Sequence, residues 1–174
     1  MYGTRYTNAI HFASLAHNGQ KRKYTGEPYI VHPIEVATTL ARYNAHKDLV
    51  IAGLLHDIEE DTEYGLHQIW QHFGESVARL VHFVSDISTP GSGNRAYRKT
   101  IYRKHIASGP PAAHTLKIAD CLSNGKNIMQ HDPQFAMTYF HEIQLLIDEA
   151  LFNGDSLLLE RLKNLVTKHE QTTA

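Results

Sequence analysis

The chain has little with which to cross-link or anchor itself. A single cysteine, Cys121, stands among 174 residues, which excludes an internal disulfide framework. No apolar stretch approaches the roughly 18 residues a membrane span needs, so a bilayer is not an expected partner. An excess of either charge is also missing: 17 Lys and Arg oppose 18 Asp and Glu, for a formal net charge of −1. Without a basic excess or stripe, general nucleic-acid binding is not expected. The polar start Met1-Tyr2-Gly3-Thr4-Arg5 has no apolar signal-peptide core, and a reducing cytoplasm is the expected compartment. Nor is there a convincing period-two alternation, the mark of half-buried strands.

What the chain does have is helical periodicity. Ile10, Ala13 and Leu15-Ala16, then Ile34, Ala37 and Leu40-Ala41, then Val77, Leu80-Val81 and Val84 recur at three and four residues. Gly74, Pro90, Gly91, Gly93, Gly109-Pro110-Pro111 and Asn153-Gly154 punctuate the pattern. The expected fold is an all-α bundle with helices over about 5–18, 32–43, 47–61, 66–73, 75–86, 94–107, 112–128, 133–152 and 155–169. With 42% hydrophobic and 20% charged residues, the composition is that of one globular domain over 1–174. Two loops stand out: the basic Gln20-Lys21-Arg22-Lys23-Tyr24-Thr25-Gly26 and the turn-rich Ser88-Thr89-Pro90-Gly91-Ser92-Gly93-Asn94.

The chain is rich in histidine, with 13. Chance alone predicts about 0.6 His-Asp pairs at this composition. There are two. His131-Asp132 precedes Pro133 and reads as a helix start, with Asp132 as N-cap and Pro133 at the first helical position. His56-Asp57 differs in context, because it closes the apolar run Leu49-Val50-Ile51-Ala52-Gly53-Leu54-Leu55 and precedes Glu59-Glu60-Asp61. Polar groups in buried surroundings need a partner or a metal. Glu60 falls four residues after His56 and Asp61 four after Asp57, so candidate ligands and candidate bases share one helix face.

Two further positions sit where a polar side chain needs a reason: His32, opening a helix before Pro33, and Asp120, within Leu116-Lys117-Ile118-Ala119. Alone, His32 is as readily a helix-start hydrogen-bonder, Asp120 a partner of Lys117 or Arg103, and the acidic run a solvated turn. Together, two imidazoles and two carboxylates make a nitrogen–oxygen set suited to Mn²⁺, Fe²⁺, Co²⁺ or Zn²⁺, without the thiolates of a structural zinc site. Such an ion keeps positions open for water and a phosphate oxygen, and phosphoester hydrolysis is the reaction it suits. Arg22, Lys23, Arg95, Arg98 and Lys99 are the densest basic groups beside the two loops.

These motifs carry a family resemblance. His32-Pro33-Ile34-Glu35-Val36-Ala37, Leu54-Leu55-His56-Asp57-Ile58-Glu59-Glu60-Asp61-Thr62 and Lys117-Ile118-Ala119-Asp120-Cys121-Leu122-Ser123-Asn124 resemble the HD-superfamily hydrolase domain of RelA/SpoT-type enzymes, above all the stand-alone small alarmone hydrolases. Phe12-Ala13, His17 through Lys23 and Pro28-Tyr29-Ile30 are similar as well, so the resemblance covers most of residues 5–140, with the C-terminal helices at 133–169 completing a single HD domain. It implies a helical HD fold and Mn²⁺-dependent hydrolysis of the 3′-pyrophosphate of (p)ppGpp-type nucleotides. The implied ligands are His32, His56, Asp57 and Asp120, and the implied catalytic pair is Glu60 and Asp61. Glu59, where many members are apolar, is expected to face solvent. Arg22 and Lys23 match a basic loop near the nucleotide, Asn124 a residue beside the ribose, and Tyr139 an aromatic near the substrate. Arg95 and Lys99 are expected phosphate contacts. Phe135 stands where animal-type members have Arg, and Cys121 and Ser123 replace commoner Lys and Tyr, which leaves guanine against adenine, (p)ppGpp against (p)ppApp, open. Hydrolysis of nucleoside monophosphates or deoxynucleoside triphosphates, and an inactive nucleotide-binding module, are the competing readings. The expected partner is a small nucleotide; a homodimer is left open.

Overall fold

A computed structural model describes residues 3–173; Met1, Tyr2 and Ala174 lie outside the described residues. Helices dominate, with no strand among the described residues and one isolated bridge between Lys21 and Pro28. The chain divides into two compact units, one running to Ser85 and the other starting at Asp86.

The first unit is built from α1 (Gly3–Ala16), α2 (Val31–Arg42), α3 (Lys47–Leu55), α4 (Ile58–Asp61), α5 (Leu66–Phe73) and α6 (Glu75–Val84). Its centre is α3, on which α1, α2 and α6 pack. Every residue from Leu49 to Leu55 is buried, so this helix has no polar face and is enclosed on all sides. Side chains such as Ile51, Leu54 and Leu55 each contribute roughly 1.5–3 kcal/mol by leaving water. Gly53 lets α2 approach closely: a Cβ there would come within 2.8 Å of Leu40 Cδ1 and 3.2 Å of Ala37 Cα. The Arg5 guanidinium of α1 bonds both the Asp48 carboxylate and the Phe73 carbonyl, tying the start of α3 to the end of α5.

The expected helix at 47–61 is broken. It stops at Leu55, turns through His56 and Asp57, and resumes as the one-turn α4. His56 Nδ1 lies 2.9 Å from the Gly53 carbonyl, a side-chain bond that competes with the backbone ladder where the apolar run ends. Asp57, at φ −93° and ψ −2°, sits in the bridge region rather than in a regular helix.

The second unit holds a 3-10 turn at Pro90–Ser92, then α7 (Arg95–Ala107), α8 (Pro111–His131), α9 (Pro133–Glu149) and α10 (Ser156–Thr173). The long α8 packs against α7, α9 and α10. Pro111 opens α8 at its first turn, and Asp132 caps α9 by accepting from the Phe135 N–H at 3.1 Å, with Pro133 in the first position. The second His-Asp pair is thus the helix start its sequence implied. No helix among the described residues is long and apolar enough to cross a membrane.

Candidate metal centre and acidic pair

Three of the four expected ligands converge within the first unit. His32 comes from the first turn of α2 and His56 and Asp57 from the break after α3, and one donor atom from each lies within 4.8 Å of the others. Both imidazoles are buried, at 1% and 3% exposure. His56 Nε2 is 3.1 Å from one Asp57 oxygen, and His32 Nε2 is 3.5 Å from the other.

The donor set fits a cation. A carbonyl only accepts, so the Gly53 oxygen requires a proton on His56 Nδ1. A neutral His56 ring then presents its Nε2 lone pair to a carboxylate oxygen 3.1 Å away, two acceptors face to face. A proton or a metal ion relieves that conflict, and the convergence of a second imidazole on the same carboxylate suits the metal. A backbone carbonyl that fixes the outer nitrogen is also the usual support for a metal-binding histidine.

Beside this cluster stands the acidic pair. The Tyr29 hydroxyl lies 2.8 Å from Asp57 Oδ2 and 3.1 Å from Asp61 Oδ2, one donor between two carboxylates. Burial, and then the charge of Asp57, raise the Asp61 carboxyl above its ordinary range, against the lowering effect of the Tyr29 bond. Glu60 and Asp61 both line a polar cleft of about 760 Å³ together with Gln20 and Glu63. Glu59 faces solvent, as expected, and its carboxylate accepts from the Leu66 N–H at 2.6 Å, satisfying the first turn of α5.

Asp120 lies on α8 in the second unit, buried, and accepts from Lys117 at 2.7 Å and from Asn124 at 2.6 Å. Burial, the largest single effect, opposes the Lys117 charge, but the charge and hydrogen bond of Asp120, with smaller effects of Tyr102 and Cys121, together hold the ammonium well above its usual range. These groups line a cavity of about 100 Å³ with Lys99, Tyr139 and Tyr102. Lys99 and Lys117 each place their ammonium about 5 Å from the centre of the Tyr102 ring, at 5.0 and 5.1 Å. Tyr139 reaches the Cys121 carbonyl at 3.4 Å, and burial pushes its hydroxyl well above the ordinary tyrosine value. Burial likewise pushes the Cys121 thiol up to about 12, which leaves it an inert packing group.

The remaining expected contacts are scattered. Arg95 forms a two-pronged bond with Glu142, at 2.8 and 2.9 Å, and Lys99 lies 3.7 Å from Asp86. Arg22 stands 5.9 Å over the Tyr29 ring and Lys23 4.7 Å over the Tyr24 ring. Sequence reasoning missed Tyr29 and Tyr102 as parts of these sites. The signal for Tyr29 was its place beside the basic loop.

Comparison with known proteins identifies the family. The HD domain family model matches residues 9–100, the stretch that holds His32, His56, Asp57, Glu60 and Asp61. The guanosine-3′,5′-bis(diphosphate) 3′-pyrophosphohydrolase of Mus musculus is 38% identical over 164 residues, covering 90% of each chain. The GTP pyrophosphokinase of Streptomyces antibioticus is 40% identical over 117 residues, 67% of this chain but only 14% of that protein, so the chain corresponds to a small part of the longer relatives. A solved structure described as a metazoan ortholog of SpoT that hydrolyzes ppGpp superposes with a TM-score of 0.84 at 26% identity, covering 95% of this chain and 96% of the other. With the His and Asp cluster inside the matched stretch, the chain belongs to the HD domain family.

Proposed function

We propose that this chain hydrolyses the 3′-pyrophosphate of (p)ppGpp-type nucleotides, releasing pyrophosphate intact, and that it does so as a single HD domain with one Mn²⁺ ion. The observation that carries this reading is the convergence of His32, His56 and Asp57 next to an aspartate, Asp61, that shares the Tyr29 hydroxyl. The names borne by the relatives supply the substrate class.

His32, His56 and Asp57 would hold the ion, with Asp120 as a fourth ligand on the strength of its sequence motif. When bound, the ion would supply Lewis acidity that makes water a better nucleophile at neutral pH, and would neutralise phosphate charge. The chain's own work is then proton transfer and positioning. Asp61, with Glu60 beside it, orients the attacking water and accepts its proton as the new O–P bond forms and the bond between phosphorus and the ribose 3′ oxygen breaks, and that proton then passes to the 3′ oxygen. Tyr29 holds the Asp61 carboxylate in place. Arg22 and Lys23 on the loop, with Arg95 and Lys99 on α7, neutralise the substrate's remaining phosphates. Asn124 lies beside the ribose and Tyr139 near the substrate, and the reading extends to adenine-based (p)ppApp. The cytoplasm is the compartment this reading assigns.

The test is product analysis with purified protein, with and without Mn²⁺, on ppGpp and ppApp. The expected products are pyrophosphate and the nucleoside 5′-diphosphate. Release of orthophosphate, or activity on simple nucleotides alone, would move the chain to a general HD phosphohydrolase; tight nucleotide binding with no turnover would make it a binding module.

A further inference from the structure

We propose that His17 is a positioning residue for Asp61, acting through Gln20. The inference rests on the reading of Asp61 as the proton acceptor. Asp61 ends α4, a helix of four residues, too short to persist on its own propensity. Its terminal carbonyls have no partners within the helix. Gln20 supplies one: its amide nitrogen donates to the Asp61 carbonyl at 2.6 Å.

That bond fixes the Gln20 amide. Because the Asp61 carbonyl only accepts, the Gln20 NH₂ group must face it, and Gln20 Oε1 must face His17. His17 Nδ1, 2.8 Å from that oxygen, is therefore the donor. His17 is 3% exposed, and its ring packs on Tyr29 with centroids 4.8 Å apart. Tyr29 in turn donates to the Asp61 carboxylate. Two supports thus reach Asp61, one at its main chain through Gln20 and one at its side chain through Tyr29, and both start from His17.

The same residues root the basic loop. Gln20 N–H bonds the His17 carbonyl, and Tyr29 N–H bonds the Gln20 carbonyl, each at 3.0 Å, so Lys21 to Lys23 leave from the residue that holds Asp61. The ring's contacts to Gln20 and Tyr29 run through Nδ1 and through one face.

This makes the side-chain amide of asparagine a fair substitute, since its nitrogen falls near the position of Nδ1. His17→Leu is expected to lower kcat about tenfold or more, as a small misplacement of a reacting group does, with KM and metal content little changed. His17→Asn should recover most of that loss. Gln20→Leu should match His17→Leu, and the double variant should be no worse than either. Equal activity in the Leu and Asn variants, or additive losses in the double variant, would overturn the proposal. Hydrogen exchange separates this outcome from failure of the proposed reaction. Whatever the chain hydrolyses, the Asp61 and Thr62 amides, bonded to the Asp57 and Ile58 carbonyls, should exchange faster in His17→Leu and at the native rate in His17→Asn. Unchanged exchange in His17→Leu would refute the clasp even in an active enzyme.

Discussion

Tyr29 holds Asp61 by a 3.1 Å hydrogen bond across 32 residues of sequence, and the same hydroxyl reaches Asp57 at 2.8 Å. A single proton thereby serves two carboxylates whose charges repel. Tyr29→Phe should lower turnover roughly 10- to 100-fold, in line with ~1.5–3 kcal/mol for hydrogen bonds to charged groups. Steady-state kinetics beside metal analysis checks this: full turnover in the Phe variant would show the bridge to be idle.

The His32, His56 and Asp57 cluster should bind about one equivalent of divalent ion. His56→Ala and Asp57→Ala should each lose it, and Mn²⁺ should raise the melting temperature of the native protein but not of these variants, because an ion bound only by the folded state adds its binding free energy. Elemental analysis and thermal scans with and without chelator decide the matter. Folded Ala variants that keep the ion would put the site elsewhere.

Glu60→Gln and Asp61→Asn should cut turnover by roughly 10²- to 10⁴-fold while leaving the ion in place, the range for general acid–base groups. Turnover and metal content, measured on the same preparations, separate this from loss of ligation. Native rates in both would return the acidic run to a solvated turn.

His114 offers a pH test away from the site. It is fully buried, its Nε2 donates to the Ile106 carbonyl at 3.0 Å, and burial lowers its pKa despite that bond. A lowered folded value means the unfolded chain binds the proton more tightly. The stability due to neutral His114 is then complete above the ordinary histidine value of about 6.5 and is lost as pH falls below it. His114→Gln keeps a donor for Ile106 and removes the titration, so its denaturation midpoint should change less between pH 7 and pH 5 than that of the native chain. Parallel pH curves for the two proteins would assign the acid sensitivity to other groups.

At Gly53 a methyl group would strike Leu40 and Ala37. Gly53→Ala should cost ~1–3 kcal/mol through overpacking and should weaken metal binding, because α2 carries His32 and the Gly53 carbonyl orients His56. Denaturant titration and metal affinity, read together, test the link. A stability loss with unaltered affinity would break it.

Much of this was legible in the sequence. The apolar run ahead of His56-Asp57 marked a buried polar pair, and Asp132-Pro133 marked a helix start, because both signals are local. The break after Leu55 was not legible, since the bond from His56 to its own helix carbonyl leaves the apolar spacing untouched. From sequence, Tyr29 entered only through the resemblance, Gln20 also as the first residue of the basic loop, and His17 otherwise as one more surface or core histidine. Their roles arise from contacts that reach Asp61 across 32 and 41 residues, and a tyrosine in a loop carries no pattern that announces such a partner. Asp120 had Lys117 among its possible partners from sequence, and that pairing is what the second unit shows.

The unbroken burial of Leu49 to Leu55 has a consequence for how the protein fails. Two of the clustered groups hang directly from the most enclosed helix of their unit rather than from a pliable loop. On warming, the centre has no independent way to fray: catalytic death and collapse of the interior should trace one curve, and adaptation to a new temperature would have to be written into the hydrophobic middle of the molecule.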